Sequence, residues 1–169
     1  MIPQILKNFN VFIDGFSLVG EAEEITLPKL SRVTEDFRGG GMQGPIELDL
    51  GNDKLELELT LKGWNKEVLK QYGAFSADGV ALRFRGAVRS DANEAQTDAI
   101  EIAIRGRLKE LDFGSAKPGE SNTLKVMIPL TYFKYEINSD PLIEIDQVNS
   151  IFVVGGVDRL ADERKALGI

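Results

Sequence analysis

The sequence predicts a mainly β fold, built as one antiparallel domain with one or two short helices. Three observations support this. Hydrophobic and polar residues alternate in several runs, which is typical of half-buried strands. Helical spacing occurs in only two short stretches. The length of 169 residues suits a single domain with a substantial core, and we find no linker or internal repeat, so residues 1–169 are taken as one domain.

The first two strands are predicted at residues 9–13, which end at an Asp-Gly turn, and at residues 54–62. In the second run four leucines alternate with charged and polar residues. A helix would spread these leucines around its circumference, so we interpret the run as a strand despite the weak β-propensity of Leu, Glu and Lys. Glu56 and Glu58 then lie on the face opposite the leucines.

The middle of the chain predicts a short helix at residues 65–72 and two further strands. The helix would be capped by Asn65, place Val68, Leu69 and Tyr72 on one stripe, and end at Gly73. The strands are predicted at residues 80–85 and from residue 100 on to 110. In the latter, Glu101 and Arg105 occupy the polar face.

Residues 124–137 form a long apolar-rich run whose alternation changes phase near Tyr132-Phe133. Such a change predicts a β-bulge. Pro129 lies inside the run and has no N–H to donate to a ladder, which indicates an edge or a bulge.

A second helix is predicted at residues 158–167, with Asp158 as its cap and Gly168 at its end. The surrounding stretch, residues 151–169, carries apolar residues with little strand alternation. We expect this C-terminal segment to pack on the body of the subunit or on a neighbour.

Several predicted strands carry charge along the whole polar face, and two architectures remain open. In a sandwich this face is simply solvated. In a sheet closed into a barrel it lines a wet interior. A ligand-binding barrel is a third possibility, although its cavity should be mainly apolar.

Composition argues against catalysis. The chain contains no Cys and no His, and its formal net charge is −7. Cysteine nucleophiles, cysteine-bound metals and histidine bases are therefore excluded. We find no nucleophile elbow, phosphate-binding loop or calcium loop, and we expect no enzymatic activity, cofactor or metal site. Basic residues near 83–89 and 105–109 are interpreted as cross-strand partners of carboxylates rather than as a nucleic-acid groove.

The N-terminus lacks a signal-peptide pattern, and the apolar runs are far too short to span a membrane. We therefore expect no integral membrane segment and a product that stays where it is translated unless an assembly carries it out.

Eight short strings, taken in order, resemble the major tail tube proteins of contractile-tailed bacteriophages and of R-type pyocins. The similarity covers almost the whole chain. The strings are NVFIDG at 10–15, TLPKL at 26–30, RGGGM at 38–42, DLG at 49–51, RGRLKE at 105–110, TYFK at 131–134, EIDQVN at 144–149 and GGVDRL at 155–160.

This resemblance implies a structural subunit that forms stacked hexameric rings, whose strands join a barrel running around each ring. It implies a tube that pierces the cell envelope and conducts DNA or ions. The implied partners are other copies of the chain, the sheath, the tape-measure protein, and baseplate and tail terminator proteins, with DNA as transient cargo. The implied location is the virion tail, or a headless tail particle, assembled in the host cytoplasm.

By the same resemblance, residues of about 30–50 are an excursion that contacts neighbouring subunits and rings, with a glycine-rich tip. The expected contact residues are Arg32, Glu35, Asp36, Phe37, Arg38, Met42 and Gln43. Glu56, Glu58, Glu101 and Arg105 are expected to face the lumen or the sheath. Two alternatives stay open: a type VI secretion-like tube protein, which shares the fold, and a soluble ligand-binding barrel.

Overall fold

In the computed structural model, which describes residues 2–92 and 96–169, the chain forms thirteen β-strands and two short α-helices. The strands are β1 (Gln4–Ile13), β2 (Phe16–Ser17), β3 (Ala22–Thr26), β4 (Arg32–Phe37), β5 (Ile46–Asn52), β6 (Leu55–Lys62), β7 (Val80–Ser90), β8 (Asp98–Gly106), β9 (Glu110–Asp112), β10 (Thr123–Ile137), β11 (Asp140–Asp146), β12 (Ile151–Val154) and β13 (Val157–Asp158). The helices are α1 (Lys66–Lys70) and α2 (Ala161–Leu167). The predicted mainly β, antiparallel class with short helices is confirmed.

Eleven of the strands form one antiparallel sheet, and the long strand β10 is its centre. The first half of β10 lies between β6 and β9, and β3 pairs with the far side of β6. Its second half lies between β11 and β8, from which the sheet continues through β7 to β1 on one side and through β12 to β13 on the other. One strand therefore belongs to two sets of neighbours.

The predicted bulge in β10 is confirmed, and it marks the exchange of neighbours. The buried residues are even-numbered from Leu124 to Leu130, and the next buried one is Phe133. The pairing of β10 with β8 shifts register between Leu130 and Tyr132. Pro129 directly precedes this irregularity, as expected for a residue that cannot donate to a ladder.

The strands paired with the first half of β10 and those paired with its second half pack around a common core. We call β3, β6, β9 and the first half of β10 the first layer, and β1, β7, β8, β11 and the second half of β10 the second layer. Buried side chains from both layers form one hydrophobic cluster. Strands that change layer through a bulge are typical of sheets packed at a steep angle. The barrel is not closed in the single subunit.

The helices agree with their predicted positions and differ in detail. Asn65 caps α1, since its Oδ1 accepts hydrogen bonds from Glu67 N at 2.8 Å and Val68 N at 3.2 Å. Of the predicted stripe, Val68 is fully buried, whereas Tyr72 is 54% exposed.

At the second helix, the predicted cap by Asp158 is wrong. Asp158 lies in β13, and its carboxylate accepts from Leu160 N and pairs with Arg164, while Leu160 occupies the cap position without a side-chain hydrogen bond. Gly168 ends α2 in the left-handed region at φ 75°, a conformation that glycine adopts without steric cost.

Two strand predictions also need correction. The alternation from residue 100 to 110 is not one strand, because β8 ends at Gly106 and β9 begins at Glu110. The C-terminal segment was expected to have little sheet structure, yet β12 pairs with β11, and β13 pairs with β12. In the described part of the chain, no helix has both the length and the apolar character needed to cross a membrane.

Candidate assembly surfaces

Strands β4 and β5 form a two-stranded hairpin, residues 32–52, that is a sheet of its own. Every residue of β4 is exposed, and so are those of β5 up to Leu50. A two-stranded hairpin has little stability in water by itself. No other strand of the described chain covers this hairpin. Both of its faces are therefore available for contact with another molecule.

The hairpin has two chemically different faces, because residues paired across strands share a face. Phe37 pairs with Ile46 and Glu35 with Leu48, which gives a mainly apolar face. The exposed fractions of Phe37, Ile46 and Leu48 are 49%, 50% and 41%. The apolar face thus keeps large side chains in water.

The opposite face of the hairpin is acidic. Asp36 pairs directly with Glu47, and Thr34 pairs with Asp49. Asp49 is held by Arg32, but among the described residues neither Asp36 nor Glu47 has an ion-pair partner. We call Asp36 and Glu47 the acidic pair.

Arg32 joins the two strands at the base of the hairpin and contacts the body of the subunit at Phe152. Its Nη2 donates to Asp49 Oδ2 at 2.7 Å, its Nη1 donates to Asn52 Oδ1 at 2.6 Å, and its guanidinium lies 5.2 Å from the ring centroid of Phe152 in β12. The hydrogen bond from Arg32 and a second one from Gly51 N keep the pKa of Asp49 below its ordinary value. A small apolar cavity of about 180 Å³ adjoins this anchor.

The tip of the hairpin is closed by short-range contacts. Arg38 Nε donates to the Met42 carbonyl at 3.2 Å, and Gly39 N lies 3.1 Å from the Met42 sulfur. A Cβ on Gly39 would stand 3.3 Å from the Phe37 ring. Gln43 is exposed at the end of the turn.

All seven predicted contact residues therefore lie on one hairpin, although they do not share a face. Arg32 is already engaged within the subunit. Glu35 and Phe37 lie on the apolar face, whereas Asp36 lies on the acidic one. Sequence reasoning missed Ile46 and Leu48, although their alternation with acidic residues was visible.

The charged strand residues divide between two surfaces. Glu56 and Glu58 lie on the outward face of the first layer, where register adds further carboxylates from the edge strands: Thr26 pairs with Glu58, Glu58 with Met127, and Met127 with Glu110. The carboxylates of this face are Glu24, Glu56, Glu58, Glu110 and Asp112. Lys62 and Lys125 lie on the same face. Lys54 approaches Glu56 at 3.1 Å, and Lys62 approaches Glu23 at 3.5 Å.

Glu101 and Arg105 lie instead on the outward face of the second layer. There Arg83, Arg85 and Arg105 surround a concavity of about 580 Å³, for which we use the name arginine concavity. Its floor is formed by the small side chains of Ala81 in β7 and Ala103 in β8, which leave the space between the arginines open.

The three guanidinium groups of the concavity outnumber the carboxylates in ion-pair contact with them, although the charge of Arg105 also helps to lower the pKa of Asp78. Glu101 lies 3.0 Å from Arg83 Nε and 3.8 Å from Arg85 Nη2. The Arg105 guanidinium packs 4.2 Å from the Tyr132 ring centroid. Within the described residues, Glu101 is the carboxylate in ion-pair contact with these arginines.

The exposed surfaces of the subunit are of four kinds. Among residues 2–92 and 96–169, no group of three or more acidic side chains is arranged to hold a metal ion. The surfaces offer instead an apolar hairpin face, an acidic pair, an acidic strand face and an arginine concavity.

Comparison with known proteins places the chain among tail components. A family model described as phage tail tube protein FII matches residues 3–168. The tail tube protein of Escherichia phage P2 is 41% identical, with 99% of each chain covered. The major tail tube protein of Serratia phage KSP20 is 36% identical, with 99% of this chain and 98% of that protein covered.

Solved structures share the fold at much lower identity. A chain in the cryo-EM structure of the anti-feeding prophage tube-terminating cap has a TM-score of 0.60 at 9% identity, over 80% of this chain and 92% of that one. A chain in the sheath–tube complex of an extracellular contractile injection system, PVC, has a TM-score of 0.57 at 12% identity, over 80% of this chain and 91% of that one.

Proposed function

The chain belongs to the phage tail tube protein FII family, and from that premise we propose that it assembles into stacked hexameric rings that form a hollow tube. Members of this family are structural tail components, so the role is mechanical rather than catalytic. Six subunits per ring is the number that the family resemblance implies.

The observation that carries this proposal is the first layer, which has four strands of alternating direction. Its outer strands, β3 and β9, pair on one side only within the described residues. Rotation about a ring axis keeps strand direction, so β9 of one copy would run antiparallel to β3 of the next. The layer can thus continue around a ring and remove its free edges.

Continuing the first layer around a ring turns its acidic outward face toward the lumen. Glu56 and Glu58 would then line the channel together with the carboxylates of β3 and β9. Such a wall repels phosphate groups, so DNA can slide without adhering, and it attracts cations. Glu101 and Arg105 belong to the second layer and would face away from the lumen, toward a neighbouring subunit or the sheath.

The hairpin, within residues of about 30–50, supplies the contact between rings in this proposal. Its apolar face would bury Phe37, Ile46 and Leu48 against the next ring, which would stabilise a hairpin that has no cover of its own. Glu35, Asp36, Arg38, Met42 and Gln43 contribute polar and tip contacts, and Arg32 positions the hairpin from inside the subunit. Residues of about 151–169 would pack against a neighbouring subunit through α2, whose Leu167 is exposed.

The further partners proposed are those of a contractile tail: a sheath outside the tube, a tape-measure protein inside it, and baseplate and terminator proteins at its ends. The related tail tube proteins of two phages and the fold shared with a sheath–tube complex support this list. The tube would reside in a virion tail or headless particle after assembly in the bacterial cytoplasm.

A ligand-binding barrel is less well supported, because the space between the layers is filled by one cluster of buried hydrophobic side chains. A type VI-like tube shares the architecture proposed here, but the full-length similarity is to phage tail tube proteins.

Negative-stain electron microscopy across a concentration series tests the assembly, and hollow tubes are expected. A protein that stays monomeric even after the ends of preformed tubes are added as seeds would contradict the proposal.

The absence of cysteine allows a second experiment, which tests the assignment of the edge strands. Cysteine pairs that join position 24 or 26 to position 110 or 112 should give a covalent ladder ending at six subunits, since paired antiparallel residues lie within disulfide range. The control pair, Glu56→Cys with Asp112→Cys, should give no ladder. Tubes without a ladder from any edge pair would overturn the assigned edges.

A further inference from the structure

The ring proposed above turns the arginine concavity away from the lumen and leaves its binding partner unassigned. The concavity lies on the second layer, on the side of the subunit opposite the acidic strand face. Arg83 and Arg85 are two residues apart on one face of β7, and Arg105 enters from β8 beside Ala81. The side chains of Arg83 and Arg85 are about half exposed, at 52% and 55%. Three positive groups thus surround a depression that could admit another chain.

The acidic pair of the hairpin carries an excess of negative charge. Asp36 and Glu47 are directly opposite each other on adjacent strands, where side chains come within about 4.5–5.5 Å at Cβ. Like charges in this position destabilise a hairpin. A cationic group placed between the two carboxylates would convert this repulsion into attraction.

We propose that the acidic pair of one subunit docks into the arginine concavity of a second copy of the chain. This inference rests on the proposed self-assembly and names a pair of surfaces that meet in it. Charge complementarity selects the occupant, because a chain of net charge −7 concentrates three arginines at the concavity and presents, on an exposed hairpin, two carboxylates that have no ion-pair partner in the described part of the chain. Arginine binds carboxylates through paired hydrogen bonds, which gives such a contact a defined geometry.

The shape of the two surfaces also fits. The concavity has alanines on its floor, so a side chain can enter between the arginines, and Phe12 and Tyr132 border it with apolar surface. The hairpin can present its acidic face to the concavity while its apolar face packs elsewhere. In a head-to-tail arrangement the acidic pair of each subunit meets the concavity of the next, so the same contact can repeat throughout a ring or a stack of rings.

Charge reversal with rescue tests the docking. The variants are Asp36→Arg/Glu47→Arg on the hairpin, Arg83→Glu/Arg85→Glu in the concavity, and the combination of all four. The concentration at which tubes form is measured by sedimentation, with electron microscopy to identify tubes. Each double variant should raise this concentration about tenfold or more, and the combination should restore much of the loss, as for close charge pairs in other interfaces.

Three controls separate the possible failures. Arg83→Gln/Arg85→Gln removes the positive charge without setting new carboxylates beside Glu101, and circular dichroism verifies that each subunit is folded. Glu35→Arg, on the other face of the hairpin, should not rescue the concavity variant. If wild-type protein forms tubes and the concavity variants form them equally well, or if Glu35→Arg rescues as well as the acidic-pair variant, the docking is refuted and the tube proposal stands. If wild-type protein forms no tubes even from preformed ends, both fail.

Discussion

Gly106 has the least room for a side chain among the glycines of the chain, and its replacement by alanine should destabilise the subunit. It ends β8 where β10 exchanges neighbours. A Cβ at this position would lie 2.3 Å from the Pro129 carbonyl oxygen and 3.1 Å from Leu130 Cδ2. Close C–H···O contacts have carbon–oxygen distances of about 3.3 Å, so the backbone would have to move by about 1 Å.

The magnitude follows from two opposing contributions. Overpacking typically costs about 1–3 kcal/mol, and a clash with backbone belongs at the upper end because no side chain can rotate away. The loss of glycine freedom in the unfolded chain returns about 0.4–1 kcal/mol. We therefore expect Gly106→Ala to lower the free energy of unfolding by about 2 kcal/mol and Tm by about 4–8 °C.

Urea unfolding followed by the fluorescence of the single tryptophan, Trp64, measures this change. The protein should be dilute, because assembly would add stability by mass action. Gly44→Ala is the matched control, since no atom lies within 4 Å of its added Cβ. Gly86→Ala should fall between the two, because its close neighbours are the side chains of Leu6 and Phe84. A Gly106→Ala protein within about 0.5 kcal/mol of the Gly44→Ala protein would refute the contact argument.

Three further predictions concern the cap, the tip and the anchor. Asn65→Ala removes two hydrogen bonds at the start of α1 and should cost about 1 kcal/mol in urea unfolding; an unchanged midpoint would contradict the cap. Deletion of residues 39–44 should abolish tubes in electron micrographs while circular dichroism shows a folded subunit; normal tubes would count against the hairpin as a ring contact. Arg32 lowers the pKa of Asp49 below 3.8, so the anchor should hold above about pH 4 and weaken as acid protonates Asp49. In the wild-type protein, the protection of the hairpin amides from hydrogen exchange should fall as the pH drops below about 4. In Arg32→Ala this pH-dependent loss of protection should be absent.

The sequence was most informative where one strand face is buried. The leucines of β6 alternate with polar residues because one side of β6 meets the core and the other meets water. The same pattern located the bulge of β10, since the phase of burial must change where the strand changes layer. These signals are local, so one chain segment carries them in full.

The assembly surfaces were less predictable, because they depend on which strands become neighbours. Glu58 and Glu101 look alike in sequence, yet pairing places them on different layers. Residues 30–50 read as a glycine-rich excursion because a hairpin exposed on both faces has no buried stripe to reveal it. Strand β12 was missed since its four apolar residues, partly buried on both sides, do not alternate.

The shared strand β10 has a mechanical consequence. Force applied along one layer reaches the other through the covalent backbone of β10 and not only across side-chain packing. The layers cannot shear past each other unless the ladders on one side of the bulge open together, with β6 and β9 released on one half or β8 and β11 on the other. Backbone ladders loaded in shear yield many bonds at once rather than one after another, so the subunit should resist compression along this strand as a single stiff element.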